Sequence, residues 1–315
     1  MNPLLIILFN FITGTACLMY GVNLMSTGLE KANLKAIKRL LSVWTDKTYK
    51  SFIAGTAITA LVQSSTAVTV ITVGLVDSGL MKLSQAVGII FGANLGTTIT
   101  AQLMSFNIGY LSIPVFLLGI AMRLFTRKPF LKSLSLSFIG FGFMFLGITV
   151  LNLGVPYIRE SEYVFKLFSQ YGQNPFIGLL IGMVTTMLVH SSSATVGLTI
   201  VLFNSGLIGF ESAIGLTLGD NIGTCITAQL ASLGTSISAR RTAWAHTLYN
   251  VIGVIIAVAV FIPFTELVKL ITAVLGQDNS RLIANTHTVF NILSAMIFLP
   301  VTKYYVKFIE SLIKD

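Results

Sequence analysis

The sequence predicts an all-α integral membrane protein with two inverted-topology repeats, each containing a re-entrant helical hairpin and broken helices. Three observations predict this class: an apolar composition, an internal duplication, and a one-sided distribution of lysine and arginine. Of the 315 residues, 54% are hydrophobic and 10% are charged, and the mean hydropathy is +0.86. Soluble domains carry roughly 25% charged residues. A soluble enzyme, a disordered regulator and a nucleic-acid-binding protein are therefore poor fits, despite the net charge of +9.

The duplication is visible when the sequence is shifted against itself by 127 residues. Residues 55–105 then align with residues 182–232 without a gap, and 24 of the 51 aligned residues are identical. Two polar blocks carry most of the agreement. They are Gln63-Ser64-Ser65-Thr66-Ala67 with His190-Ser191-Ser192-Ser193-Ala194, and Gly-Ala-Asn-Leu-Gly-Thr-Thr at 92–98 with Gly-Asp-Asn-Ile-Gly-Thr-Cys at 219–225. Such duplication is common in secondary transporters. We predict a first repeat over residues 1–132, a second over 133–262, and a C-terminal segment over 263–315 with an extracellular stretch and the last transmembrane helix.

The topology depends on the two polar blocks that contain serine. Residues 52–76 could form one tilted spanning helix, or a re-entrant hairpin whose limbs of about 12 residues reach roughly 18 Å into the bilayer. With hairpins at about 52–78 and 176–205, seven crossings remain, at 4–27, 83–104, 111–125, 133–155, 212–233, 242–262 and 283–302. Sixteen of the 20 lysine and arginine residues then lie on one side. The positive-inside rule therefore favours hairpins, an external N-terminus and a cytoplasmic C-terminus.

Two further features concern the orientation of the second repeat and the segment that precedes the first hairpin. Each repeat crosses the membrane three times, which is an odd number, so the second repeat enters from the opposite face. Lysines interleaved with apolar residues over residues 30–50 predict an interfacial amphipathic helix between the first crossing and the first hairpin.

The hairpin tips predict an anion site. A Gln-Ser-Ser or His-Ser-Ser-Ser turn supplies hydroxyls at the midplane, and the second limb begins there with unpaired N–H groups and a partial positive charge. Two facing tips could hold an anion without lysine or arginine, while oxygens at helix breaks could coordinate sodium. The glycines of the second motif predict breaks in helices 83–104 and 212–233. In the alternative interpretation, the small residues only permit tight helix packing.

Two single residues distinguish the second repeat from the first. Asp220 stands where the first repeat has Ala93, and an ionisable residue inside a membrane is a functional candidate for cation or proton coupling. The alternative role for Asp220 is a hydrogen-bonded helix cap. His190 replaces Gln63, and it could bind an anion, sense pH, or simply take the hydrogen-bonding place of the amide.

A His-Thr-X-aromatic-Asn pattern occurs twice, at residues 246–250 and 287–291. Its histidine and asparagine lie one helical turn apart, which favours interhelical hydrogen bonding over ligand contact. It supplies four supporting candidates, His246, Asn250, His287 and Asn291. The sequence contains no Gly-X-Ser-X-Gly, His-Glu-X-X-His or Walker motif, so we predict that the protein is not an enzyme. A channel with two re-entrant tips is the alternative from another class.

Together, these motifs resemble the sodium-dependent phosphate cotransporter family, which includes the type II renal and intestinal carriers and their bacterial relatives. The resemblance rests on the two serine blocks, the two Gly-X-Asn-X-Gly-Thr blocks, the Thr-Ala-Gln sequences at 100–102 and 227–229, and the segment 240–250. It implies an inverted-repeat carrier, a homodimer, and phosphate and sodium bound near the tips. This chain departs from the family at His190, usually glutamine, at Asp220, usually a small residue, and at Thr247, an aspartate in electrogenic members.

The residue patterns and the resemblance together give the predicted site residues. The predicted phosphate ligands are Gln63, Ser64, Ser65, Thr66, His190, Ser191, Ser192 and Ser193. The predicted sodium ligands are Gln63, Ser64, Asn94, Thr97, Thr98, Gln102, Ser191, Asp220, Asn221, Thr224 and Gln229. We therefore expect a plasma (inner) membrane symporter that moves inorganic phosphate with sodium as its coupling ion, without another cofactor and without a nucleic-acid partner. Transport of another oxyanion or a small carboxylate is the alternative in the same class.

Overall fold

The computed structural model describes residues 3–43, 47–106 and 108–314, and this part of the chain is helical with no strand. The predicted all-α class is confirmed. The α-helices are α1 (Pro3–Val43), α2 (Thr48–Val62), α3 (Ser65–Asp77), α4 (Leu83–Met104), α5 (Ser112–Phe125), α6 (Pro129–Glu160), α7 (Glu162–Tyr171), α8 (Pro175–Val189), α9 (Ser192–Asn204), α10 (Phe210–Gly223), α11 (Ile226–Ala231), α12 (Ile237–Ala259), α13 (Phe261–Val274), α14 (Leu282–Phe298) and α15 (Thr302–Leu312). Short 3₁₀ helices, Gly109–Leu111 and Asn279–Arg281, precede α5 and α14.

Several of these helices could cross a bilayer. In the described part of the chain, four are long and apolar enough by length and composition, namely Pro3–Asn33 within α1, α4, α6 and α12. Two bent pairs, α7–α8 at 110° and α14–α15 at 85°, raise the number to six if each pair is one span. The predicted crossings at 111–125 and 212–233 consist of shorter helices. The chain is a multi-pass membrane protein, and the count of seven crossings stays a prediction.

The helices repeat along the chain with the same offset as the sequence. Adding 127 to the bounds of α2 and α3 gives the bounds of α8 and α9. The start of α4 likewise maps onto the start of α10, and its end maps onto the end of α11. Each repeat therefore contains two short helices followed by one longer helical segment. We call α2–α3 the first helix pair and α8–α9 the second helix pair.

Glycines bring each longer segment close to the first helix of its own pair. A Cβ atom added at Gly92 would lie 2.0 Å from the Phe52 carbonyl oxygen, and one at Gly219 would lie 1.9 Å from the Leu179 carbonyl oxygen. Only a residue without a side chain permits so close a backbone approach. These glycines therefore pack α4 against α2 and α10 against α8.

The predicted helix break in the first repeat is wrong. The helix α4 is continuous from Leu83 to Met104, because its glycines serve packing and the backbone stays regular. In the second repeat an interruption is present, but it covers only Thr224 and Cys225, between α10 and α11. The Gly-X-Asn-X-Gly pattern alone therefore does not break a helix here.

The predicted interfacial helix over residues 30–50 is wrong in its bounds. Residues 30–43 continue α1, and α2 begins at Thr48. Neither glycine nor proline occurs between residues 29 and 43, so nothing in that stretch ends the helix. Trp44 and the side chains of residues 34 and 38–43 lie outside the described part, and the amphipathic face of this segment stays a prediction.

An apolar core joins helices from both repeats. Leu18 of α1, Met104 of α4, Met144 of α6 and Val196 of α9 belong to one cluster of buried side chains, and none of the four is more than 3% exposed. The second helix pair is thereby anchored to the first crossing, and the tips of both pairs lie near this core.

Candidate functional site

Each helix pair turns at one residue in the left-handed conformation. Gln63 has a φ of 59° and His190 a φ of 54°, and no other non-glycine residue in the described part has a positive φ. Because a left-handed residue ends an α-helix and redirects the chain, each serine motif lies where one helix ends and the next begins, and not in the middle of a continuous helix. We call residues 63–66 the first tip and residues 190–193 the second tip.

Serine side chains begin the helix after each tip. The Ser64 hydroxyl oxygen accepts a hydrogen bond of 3.2 Å from the Ala67 N–H, and Ser191 accepts one of 3.3 Å from the Ala194 N–H. A serine at this position stabilises the first turn and leaves other N–H groups of that turn available. The N-termini of α3 and α9 therefore each contribute partial positive charge at a tip.

A cavity of about 410 Å³ lies between the two tips. All eight residues predicted to bind phosphate line it, and so does Thr97. Its remaining polar lining comes from α1, and no lysine or arginine of the described part contributes to it. Hydroxyls and two helix N-termini around one cavity are suited to a small anion.

The side chain of Gln63 makes two hydrogen bonds within the protein. Its Oε1 accepts a hydrogen bond of 2.6 Å from the Thr100 hydroxyl, and its Nε2 donates to the Ala60 carbonyl at 2.5 Å. Its backbone carbonyl accepts a hydrogen bond of 2.9 Å from the Ser26 hydroxyl. Gln63 therefore positions the first tip. His190 at the second tip is exposed, and its ring makes no hydrogen bond to the described residues.

Three residues of α1 that line the cavity are not among the predicted site residues. Asn23, Ser26 and Glu30 all line the cavity. Their spacing of three and four residues places them on one face of a helix, which is a signal the sequence does contain. We call these three residues the polar stripe on α1.

Asp220 lies outside the cavity, in a separate buried cluster. Its side chain is 0% exposed, and its Oδ1 accepts a hydrogen bond of 3.1 Å from the Thr186 hydroxyl. The Thr186 oxygen also lies 2.8 Å from that of Thr195. The second carboxylate oxygen, Oδ2, has no hydrogen-bond partner among the described residues.

The first repeat has no equivalent of this cluster. The positions that correspond to Thr186, Thr195 and Asp220 hold Thr59, Val68 and Ala93. The Thr59 hydroxyl is buried and lacks a partner in the described part. The carboxylate therefore occurs in only one of two otherwise similar packing environments.

The asparagines of the Gly-X-Asn-X-Gly blocks bond to other helices. The Asn94 amide donates to Asn250 Oδ1 at 2.9 Å, and His246 Nε2 lies 3.3 Å from Asn94 Oδ1. Asn221 of the second repeat accepts a hydrogen bond of 3.4 Å at its Oδ1 from the Asn291 amide. Both copies of the His-Thr-X-aromatic-Asn pattern thus make interhelical hydrogen bonds. Asn291 Oδ1 and the Nδ1 atoms of both pattern histidines are buried without partners in the described part.

The two glutamines extend this network in a crossed arrangement. Gln102 of α4 donates to Thr288 of α14 at 3.0 Å, and Gln229 of α11 donates to Thr247 of α12 at 2.7 Å. The helix α12 is therefore hydrogen-bonded to Asn94 of the first repeat and Gln229 of the second. The helix α14 is hydrogen-bonded to Gln102 of the first repeat and Asn221 of the second. Gln102 Oε1 also accepts a hydrogen bond of 2.7 Å from the Arg281 guanidinium, a cation that sequence reasoning did not place there.

The remaining predicted sodium ligands are buried threonines. The hydroxyls of Thr97 and Thr98 donate to carbonyl oxygens within their own helix, those of Ala93 and Leu95. Thr224 lies at the interruption between α10 and α11 and is 8% exposed. The predicted sodium ligands thus occupy the tips, the Asp220 cluster and the interhelical network, and the structure does not gather them around one point.

Two broken helix pairs that enclose a polar cavity inside a multi-pass membrane protein are typical of secondary transporters. Comparison with known proteins gives the family directly. The model of a family described as Na+/Pi-cotransporter matches residues 17–152 and 161–277. The chain belongs to this family, which consists of transporters and not of enzymes.

Several relatives extend over the whole chain. YqeW of Bacillus subtilis is 33% identical over 98% of this chain and 99% of its own length. A protein named putative inorganic phosphate export protein YjbB, from Escherichia coli K12, is 27% identical over 98% of this chain, which spans 56% of that relative's length. Human sodium-dependent phosphate transport protein 2B is 32% identical over 33% of this chain and 16% of its own length. No solved structure matched the chain significantly.

Proposed function

We propose that this protein is a sodium-coupled carrier of inorganic phosphate that works by alternating access. The observation that carries the proposal is the cavity between the two tips, because it combines two helix N-termini with the hydroxyls of six serines. No lysine or arginine of the described residues lines the cavity, and His190 is its one imidazole. An anion bound there would depend on helix dipoles, hydrogen bonds and co-transported cations.

The proposed architecture is a pair of inverted repeats with the tips as re-entrant turns. The common offset of 127 residues in both sequence and helix bounds supports the duplication. The crossed hydrogen bonds of α12 and α14 support a two-fold relation between the repeats, since each of these helices bonds to both. The excess of lysine and arginine on one side favours an external N-terminus and a cytoplasmic C-terminus in the plasma membrane. The division of the chain at residues 132 and 262, and a homodimeric assembly, are part of the proposal.

A buried apolar barrier favours a carrier over a channel. The helix α9 runs from Ser192, at the cavity between the tips, to Asn204, at a second cavity of about 720 Å³. These residues lie about 18 Å apart along the helix. Between them, a Cβ atom at Gly197 would lie 2.9 Å from the Leu18 side chain and 3.2 Å from Met104 Sδ. The two cavities are thus separated by packed side chains, as expected of a carrier that opens to one side at a time.

Sodium coupling is supported by two buried oxygens that accept no hydrogen bond from a described residue. Asp220 Oδ2 and Asn291 Oδ1 are buried and unpaired in the described part. An ionised carboxylate in such a place is costly unless a cation neutralises it. We therefore propose a sodium site at Asp220, Asn221 and Thr224. Gln102 is the weakest of the sodium ligands predicted from the sequence, because its Oε1 already accepts a hydrogen bond from the Arg281 guanidinium.

The experiment is uptake of labelled phosphate into proteoliposomes that contain the purified protein. We expect saturable uptake when an inward sodium gradient is imposed, and little uptake when potassium replaces sodium. Excess unlabelled sulfate, arsenate or succinate tests the alternative substrates, and one that competes better than phosphate would replace it as the proposed substrate. Reversing the sodium gradient tests the direction of phosphate flux. The direction is open because the relative YjbB is named as an export protein.

Uptake that is independent of sodium would contradict the coupling. Anion currents that neither saturate nor require sodium would contradict the carrier mechanism and favour a channel. Empty liposomes and liposomes with an unrelated membrane protein provide the controls.

A further inference from the structure

The polar stripe on α1 contains Glu30, the one carboxylate among the described residues that line the cavity between the tips. Glu30 is half-buried there, and it makes no hydrogen bond or ion pair with a described residue. It lies one helical turn, about 6 Å along the axis, from Ser26. The Ser26 hydroxyl donates a hydrogen bond of 2.9 Å to the Gln63 carbonyl of the first tip. Glu30 therefore lies about one helical turn from a residue that contacts the first tip.

A carboxylate at this place opposes the binding of a bare anion. Phosphate and Glu30 would carry charges of the same sign in one cavity, and their repulsion is strongest where water is scarce. The other polar groups of the lining are hydroxyls, amides, backbone N–H groups and one imidazole. A cation that binds between Glu30 and the anion would relieve this repulsion, because carboxylate oxygens are suitable ligands for hard cations.

We propose that Glu30 recruits a monovalent cation, sodium in this carrier, to the cavity, where the cation offsets the charge of Glu30 beside the bound phosphate. The inference rests on the proposed function. It adds a cation position on α1 that is distinct from Asp220, which lies outside this cavity.

The test compares the wild type with Glu30→Gln, a change that removes the charge and keeps the size. Binding of labelled inorganic phosphate to the purified protein is measured in sodium chloride and in choline chloride. In the wild type, we expect sodium to tighten phosphate binding by about fivefold or more. In Glu30→Gln, we expect a smaller effect of sodium and tighter phosphate binding in choline than in the wild type, because the repulsion is gone.

The tighter binding in choline separates recruitment from a structural role, since a variant with a damaged cavity would bind phosphate less tightly in both salts. Glu162→Gln, on the exposed first turn of α7, is the matched control and should behave like the wild type. An unchanged sodium effect in Glu30→Gln, or phosphate binding in choline that is no tighter than in the wild type, would overturn the inference.

A second measurement separates this inference from the proposed function. We expect sodium chloride to raise the melting temperature of the wild type above its value in choline chloride, and to raise that of Glu30→Gln less. If the wild type bound no phosphate but kept this difference, the cation site would stand and the phosphate function would fall. Equal sodium stabilisation in both proteins would overturn the cation site, whatever the substrate.

Discussion

Replacing both Ser64 and Ser191 with alanine is expected to abolish phosphate uptake. Each serine hydroxyl lines the cavity between the tips and is placed at the start of a helix by its hydrogen bond to the third residue beyond it. A hydrogen bond to a charged group contributes about 1.5–3 kcal/mol. Losing two such bonds costs about 3–6 kcal/mol, which corresponds to roughly 10²-fold to 10⁴-fold weaker binding.

The duplication supplies a matched control for this pair. Ser78 and Ser205 are also separated by 127 residues, but they follow the C-terminal ends of α3 and α9, outside the cavity. The Ser78→Ala, Ser205→Ala double variant should transport phosphate like the wild type. Replacing Ser64 and Ser191 with threonine, which keeps both hydroxyls, should retain part of the uptake. Normal uptake by a folded double alanine variant would contradict the proposed site.

Gly219→Ala is expected to destabilise the protein more than any other single methyl addition described here. The new Cβ atom would lie 1.9 Å from the Leu179 carbonyl oxygen, so α10 would have to separate from α8. Overpacking commonly costs about 1–3 kcal/mol, and a clash with backbone lies at or above the top of that range because no side chain can rotate away. We expect a large fall in melting temperature or loss of the monodisperse protein in detergent.

Gly74→Ala provides the comparison for this substitution. Gly74 lies within α3, and a Cβ atom there would meet nothing within 4 Å. Alanine is also the better helix former, so this variant should be at least as stable as the wild type. Equal melting temperatures for Gly219→Ala and Gly74→Ala would contradict the close packing of α8 and α10.

The turns at the tips could be predicted from sequence because polar residues interrupt otherwise apolar segments twice, at one common offset. The predicted pairs at 52–78 and 176–205 differ by only a few residues from α2–α3 and α8–α9. The role of the glycines could not be predicted in the same way. A glycine permits both a helix break and a close helix contact, and only the position of the neighbouring backbone decides between them.

Other features depended on contacts that a single sequence does not display. Nothing in the sequence pairs Gln102 with Arg281, since 179 residues separate them. The buried cluster around Asp220 needs Thr186 and Thr195 from both helices of the second pair, and neither belongs to a recognisable motif. From the sequence, Glu30 is only the first residue of a predicted amphipathic segment. Its place in the cavity could not be predicted, because that cavity forms only where α1 packs beside the tips.

The central claim is that phosphate binds between the two tips. The most direct test is an experimental structure of the protein determined with saturating phosphate and sodium. We predict density for phosphate within hydrogen-bond distance of Ser64 and Ser191, in the cavity that Thr97 also lines. Phosphate bound elsewhere, for instance in the cavity near Asn204, or an empty cavity between the tips at saturating phosphate, would contradict the account.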